Sequence, residues 1–320
     1  MTPDTSAPPD TPATPDPSAT PDPSATSDAS GTPGVSGTPD SPATPRGTAA
    51  AVQIQLAVLT ALAGGVLAAG SYLGTVALLV AICLVQLLLT VSWLFGTSVP
   101  GRKGGLVLAV LAAGGADAAI MYWPDSGYSP VLGVLGMAVP LLFLHQLARG
   151  VVRTRVLESL ADITVLVVAL IALTGLIVLR RQGNGDILTP AVLGAITAGL
   201  VASHFTDAIF PAPRFDPAVD RGLPAVVVGV LVGGAVGLLG LNRVIDFAGG
   251  RAAFVGAAIA AVACLLSIAA SFSGVHSGLA PAGTAGPAGP AVRLRPVAAV
   301  LMTLALSTPA AYVLVNALSG

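Results

Sequence analysis

From about residue 49 to its end the chain is a succession of apolar stretches, each near 20 residues long, separated by short polar breaks. An α-helix rises about 1.5 Å per residue, so about 20 such residues cross the ~30 Å hydrocarbon core of a bilayer. Lipid offers no hydrogen bonds to the backbone, so each stretch must satisfy its own N–H and C=O groups, and an α-helix does so within one segment. Cutting at the polar breaks predicts nine spans, at about 50–69, 74–95, 105–123, 131–148, 160–179, 188–209, 223–241, 252–272 and 297–317. The expected fold is an all-α, polytopic integral membrane helix bundle over residues 49–320. Composition agrees, with 54% apolar and 9% charged residues, where soluble domains carry about a quarter charged. A water-soluble enzyme and a secreted disulfide scaffold are thereby excluded. No basic stripe is present to neutralise a phosphate backbone, which excludes a nucleic-acid binder. Cys83 and Cys264 fall inside separate apolar stretches and read as small packing residues.

Residues 1–48 differ in kind. From Thr2 they divide into hexads such as TPDTSA, PPDTPA and TPDPSA, with 12 of the 26 prolines and six aspartates against Arg46 alone. With so few apolar groups, nothing offsets the entropy of ordering the chain. A disordered, polyproline-II-rich tail is expected, acting as a tether or as a substrate for Thr/Ser modification. The first apolar stretch then has to direct insertion.

Orientation follows from the basic residues. With the N-terminus in the cytoplasm, inner segments hold Arg46, Arg102, Lys103, Arg149, Arg153, Arg155, Arg214, Arg221, Arg293 and Arg295. Outer segments hold Arg180, Arg181, Arg243 and Arg251. The count predicts a cell-membrane protein with its N-terminus inside and its C-terminus outside, although the Arg180–Arg181 pair runs against it.

Small residues at every fourth position mark faces where helices approach closely in lipid. Ala225, Gly229, Gly233 and Gly237 form one such face of the seventh span, and Ala252, Gly256, Ala260 and Cys264 repeat it in the eighth. These seams could pack one bundle or join protomers in a homo-oligomer. Two other small faces end in an acid. Gly105, Ala109 and Ala113 lead to Asp117, and Ala191, Ala195, Gly199 and Ser203 lead to Asp207. Both acids should therefore point at a neighbouring helix and away from lipid.

Ionisable groups inside a membrane are expensive and suggest function. Asp117 is a candidate buried acid, as a protonatable relay or as a structural hydrogen-bond donor. A second candidate site is a layer near the inner face: His145, Asp162, His204 and Asp207, followed by a proline-set loop with Arg214, Asp216, Asp220 and Arg221. A His–Asp pair could relay protons. Two His and two Asp could ligate a metal. Arginines beside a general base could hold a lipid headgroup or phosphate. Structural hydrogen bonding at a tolerant depth is the fourth reading.

Other motifs carry little. The chain has one lysine, Lys103, and one glutamate, Glu158, with no G-K-[ST] of a P-loop and no H-E-x-x-H. No cofactor or metal is expected. Gly183-Asn184-Gly185-Asp186 has the G-x-G-D spacing of intramembrane aspartyl proteases, yet it falls in an expected outer loop, and Asp162 lies at the far end of the preceding span. Scarce catalytic groups favour a multipass protein that is transport-related or non-catalytic. The alternatives are a membrane-embedded enzyme acting on a lipid-linked or headgroup substrate at the cytoplasmic face, and an envelope scaffold tethered by the tail. The bilayer is the one partner that the residues imply directly.

Overall fold

The computed structural model describes residues 46–97, 102–148, 156–216, 219–244, 249–276 and 290–318. The repeat tail before Arg46 lies outside the described residues, as do Arg149, Arg153 and Arg155. The apolar stretches are nine α-helices: α1 (Arg46–Leu73), α2 (Thr75–Gly96), α3 (Arg102–Tyr122), α4 (Ser129–Ala148), α5 (Val156–Arg181), α6 (Gly185–Ile209), α7 (Leu223–Leu241), α8 (Gly250–His276) and α9 (Pro290–Leu318). Every one is long and apolar enough to cross a membrane, and each matches one expected span to within a few residues. Between α6 and α7, where the sequence predicts a proline-set loop, the chain forms a short antiparallel hairpin of β1 (Arg214–Asp216) and β2 (Val219–Gly222).

The first two helices are joined by Gly74 alone, at φ +119° and ψ 177°. That conformation is essentially restricted to glycine, so a helical hairpin this tight requires Gly74. Gly70 lets the two helices close, because a Cβ there would stand 2.9 Å from the Cβ of Ala81.

Burial ranks the helices by position. In α5, 78% of the spanning window is buried, against 22% in α4. Accordingly α5 packs on α2, α3, α4, α6 and α9, while α4 rests on α3 and α5 at the edge. One apolar core joins Ile82 and Leu89 of α2, Leu108 of α3, Leu142 of α4, and Leu166 and Leu170 of α5. A second joins Val192 and Ile196 of α6 to Val255 and Ile259 of α8. Helix α9 belongs to both, with Leu301 and Met302 in the first and Val300 and Leu304 in the second.

The small-residue faces are occupied within this chain. Ala225, Gly229, Gly233 and Gly237 of α7 are all buried. A Cβ at Gly237 would stand 2.6 Å from the Cα of Gly256 on α8, and one at Gly229 would meet the Cys264 sulfur at 2.8 Å. On the other side, a Cβ at Gly199 of α6 would lie 2.9 Å from the Gly229 carbonyl oxygen. Lipid supplies no hydrophobic drive between helices, so this close backbone approach is what holds α6, α7 and α8 together.

The Arg180–Arg181 pair has a structural role at the end where α1, α3 and α5 finish. The last carbonyls of a helix lack intrahelical partners. Arg180 Nε donates to the Ser71 carbonyl of α1 at 3.0 Å, and Arg181 donates to the Ile120 carbonyl of α3 at 2.6 Å. Two guanidinium groups thus sit on helix C-termini, where the helix dipole favours positive charge. Nearby, Tyr128 precedes α4, and its ring lies 4.9 Å from that of Tyr312 on α9. Gly175 makes the room, since a Cβ there would be 2.6 Å from the Tyr128 hydroxyl. Burial, and then the neighbouring Tyr312, push the Tyr128 phenol up to about 12.

Candidate functional site

Two buried polar clusters stand out against the apolar packing, and each contains one of the acids at the end of a small-residue face. The first surrounds Asp117 of α3. A residue five positions before the end of α3 sits about 8 Å inside it along the axis, and Asp117 is 7% exposed. Its face is set by Gly105, Ala109 and Ala113, which let α2 and α5 approach. Thr174 of α5 donates to Asp117 Oδ1 at 2.7 Å, and Gln86 Nε2 of α2 lies 3.3 Å from the same oxygen. Cys83 of α2 approaches Oδ2 at 3.5 Å. Gln86 Nε2 also donates to the Leu170 carbonyl at 3.1 Å, which ties α2 to α5 beside the acid. All the side-chain partners of Asp117 among the described residues are neutral.

The second cluster lies at the opposite end, where α6 finishes and the hairpin begins. Ser203, His204 and Asp207 of α6 are all buried. The hairpin turns Arg221 inward, so this loop arginine is only 2% exposed. Arg221 pairs with Asp207 Oδ2 at 2.8 Å, lies 3.4 Å from Ser203 Oγ, and donates its other amino group to Ser267 Oγ of α8. Asp207 Oδ1 accepts from the Gly222 backbone N–H at 2.9 Å. Gly222 is the N-cap of α7, so the carboxylate also meets the positive end of that helix dipole. His204 Nδ1 lies 2.9 Å from Gln53 Oε1 of α1, an arrangement in which Nδ1 carries the proton. One charged pair therefore fastens α6, α8 and the hairpin, with His204 holding α1 alongside.

Of the four residues expected as a layer near this face, no three converge among the described residues. His204 and Asp207 face α1, α8 and the hairpin, as described. His145, half-buried on α4, packs its ring over Gly104 of α3, where a Cβ would overlap the imidazole. The next residue, Gln146, reaches Ser159 of α5 at 3.5 Å. Asp162 is half-buried on α5. Of the loop residues, Arg221 joins the Asp207 cluster, whereas Arg214 is exposed and donates to the Pro211 carbonyl at 3.3 Å. Asp216 is half-buried on β1, opposite Val219. Among the described residues no three His, Cys, Asp or Glu side chains converge on a metal-sized position. The Gly183–Asp186 segment is the α5–α6 turn, with Asn184 left-handed at φ 63° and Gly185 pressed on the Arg180 carbonyl.

Sequence reasoning did not name Gln53, Gln86, Thr174 or Ser267, which supply the partners of the named acids and histidine. A signal existed for Gln86, an amide eleven residues into an apolar helix, because such groups in lipid seek interhelical hydrogen bonds. Threonine and serine gave none, since they are common in apolar helices as bonds to their own preceding turn, as at Thr60 and Thr90.

No protein-family model, curated protein or solved structure matches the chain.

Proposed function

We propose that this multipass protein is transport-related, that it sits in the cell membrane with its N-terminus inside and its C-terminus outside, and that Asp117 is the group whose charge changes as it works. The observation that carries this reading is the contrast between the two buried acids. Asp207 is held by a permanent cation and a backbone N–H, an arrangement suited to one charge state. Asp117 is held by a hydroxyl, an amide and a thiol. Hydroxyl and thiol groups can each donate or accept, and an amide carries both functions, so these partners can serve a carboxylate or a neutral acid by turning. A lone carboxylate sealed among helices is expensive in a low dielectric. Neutralisation by a proton, or by a cation arriving between α2, α3 and α5, removes that expense and couples occupancy of the site to helix packing.

The enzyme alternative is not favoured by a specific observation. Chemistry on a headgroup would need His145, Asp162 and His204 at one place, and the arginine nearest His204 is already engaged by Asp207, Ser203 and Ser267.

The test is complementation of a deletion strain, scored by growth and by cytoplasmic pH recovery after an external acid pulse. Asp117→Asn is expected to abolish complementation with an unchanged amount of protein in the membrane, and Asp117→Glu to restore part of it. Full complementation by Asp117→Asn would end this reading.

A further inference from the structure

We propose, resting on the reading that the charge of Asp117 changes as the protein works, that the species it gains is a proton rather than a metal ion, bound at Oδ2 on the Cys83 side. The two carboxyl oxygens have different neighbours. Oδ1 is turned to buried side chains: Thr174 of α5 donates to it at 2.7 Å, and Gln86 Nε2 of α2 lies at 3.3 Å. Oδ2 is turned to the sulfur of Cys83 at 3.5 Å, and Cys83 is exposed on α2.

The backbone of α5 fixes the direction of one of these bonds. Gln86 Nε2 also lies 3.1 Å from the Leu170 carbonyl oxygen, and a carbonyl can only accept. The end of the amide facing α5 is therefore its NH2, with one hydrogen for Leu170 and one for Oδ1. Turning the amide over would set two carbonyl oxygens 3.1 Å apart. Oδ1 thus receives donors in both charge states, as half of a carboxylate or as the carbonyl oxygen of the neutral acid. A proton on Oδ1 would meet the Gln86 N–H head on. The thiol beside Oδ2 can donate or accept. Protonation by hydronium then forms an Oδ2–H bond and releases water, with no electron transferred. The S–H···O contact from Cys83 gives way to O–H···S, while Gln86 and Thr174 keep their places.

The same donors oppose a metal ion. Hard cations are held by about six or more oxygen lone pairs turned towards them. Here two partners present hydrogens to the carboxylate, and the third is a sulfur, a soft ligand. Soft cations need further thiolate or imidazole groups, and among the described residues no three His, Cys, Asp or Glu side chains come together. Fixed charges are also remote. On α2 the titratable neighbour is Cys83. On α5, Arg181 is two turns, about 10 Å, beyond Thr174 and donates to the Ile120 carbonyl, while Arg180 donates to that of Ser71. Asp162 lies about 18 Å before Thr174 along the same helix. Arg102 and Lys103 begin α3, and His145 of α4 packs over Gly104, about 20 Å along α3 from Asp117. Tyr128 packs over Gly175, the residue after Thr174, and its phenol stays neutral up to about 12. With neutral neighbours throughout, one proton makes the buried site neutral.

The experiment is infrared difference spectroscopy of the full chain in nanodiscs, stepped from high to low pH. The step is expected to raise the C=O band of a protonated carboxyl, which is lost in Asp117→Asn and displaced in Asp117→Glu. The S–H band of Cys83, identified by its loss in Cys83→Ala, should move to higher frequency as the thiol stops donating to a carboxylate. The Cys264 band should stay in place. Sodium in place of potassium, or added magnesium, should leave the carboxyl band unchanged at fixed pH. Loss of that band to either metal ion, an unmoved Cys83 band, or the absence of a pH-dependent Asp117 band would each overturn the proposal. Asp117→Glu assigns the band if Asp117→Asn folds poorly. Failed complementation by Asp117→Asn together with a metal-sensitive band would sink the proton and leave the transport reading standing. Full complementation would end that reading itself.

Discussion

Asp117 and Asp207 each terminate a run of small residues on a helix face, and their surroundings predict different consequences when their partners or charges are removed. Removing one partner of a buried ion pair leaves the other charge uncompensated and costs about 3–5 kcal/mol. Arg221→Ala should accordingly destabilise the bundle by about that amount, read as thermal unfolding in detergent. Replacing Arg221 and Asp207 together by leucine should cost less than the sum of the single changes, the mark of a coupled pair. Asp117→Asn keeps a carbonyl oxygen for Thr174 and Gln86, so its unfolding temperature should stay near wild type although activity is lost. A loss of stability from Asp117→Asn as large as that from Arg221→Ala would place Asp117 among the structural residues. Tyr128 provides a pH signature. Its phenol ionises at about 12 in the folded chain, against ~10 for a solvated tyrosine. The proton is held more tightly in the folded state, so the stabilisation is complete below about pH 10 and is lost as pH rises towards 12. Tyr128→Phe should flatten stability across that window, and an unchanged slope would show that other groups set it.

Among the elements, the α6–α7–α8 group is fastened by backbone proximity, which gives its glycines a sensitivity that an exposed glycine such as Gly114 of α3 lacks. A side chain at Gly237 has to displace the backbone of Gly256, whereas one at Gly114 meets nothing within 4 Å. Overpacking of this kind costs about 1–3 kcal/mol and often more against backbone. Gly237→Leu should lower the unfolding temperature and the folded yield, and Gly114→Leu should change neither. Equal tolerance of both would mean that α7 and α8 are free to separate. The hairpin belongs to the same group. Arg221 turned inward ties it to Ser267 of α8, and Gly222 beside it donates to Asp207 of α6 at the N-terminus of α7.

For the whole molecule, the proposed topology takes the nine apolar helices among the described residues as nine crossings, which puts the two termini on opposite sides. A reporter that works only outside the cytoplasm, fused after Gly320, is expected to be active. Activity of a cytoplasm-only reporter at that position would refute the orientation. The Arg180–Arg181 pair, which the basic-residue count sets against that orientation, donates to the carbonyl ends of α1 and α3. The spans were legible in the sequence because membrane insertion is decided locally: length, apolarity and internal backbone bonding all belong to one segment. The burial of Asp117 and Asp207 was legible as well, since the repeat of small residues along a helix fixes which face an acid shares. What each acid meets on that face was not. Arg221 reads as a loop cation, and it reaches Asp207, 14 residues earlier, only because the hairpin folds back between α6 and α8. Thr174 is 57 positions from Asp117, and Gln53 is 151 from His204. The shared depth of His145, Asp162, His204 and Asp207 was read from helix direction, which is a coordinate along the membrane normal. Their lateral separation depends on which helices are neighbours, and small-residue packing decides that between segments far apart in the chain. The sequence by itself therefore determined the spans, their alternation and the inward faces. Only the tertiary structure decided which buried acid has a counter-ion, because that depends on which helices and which loop meet.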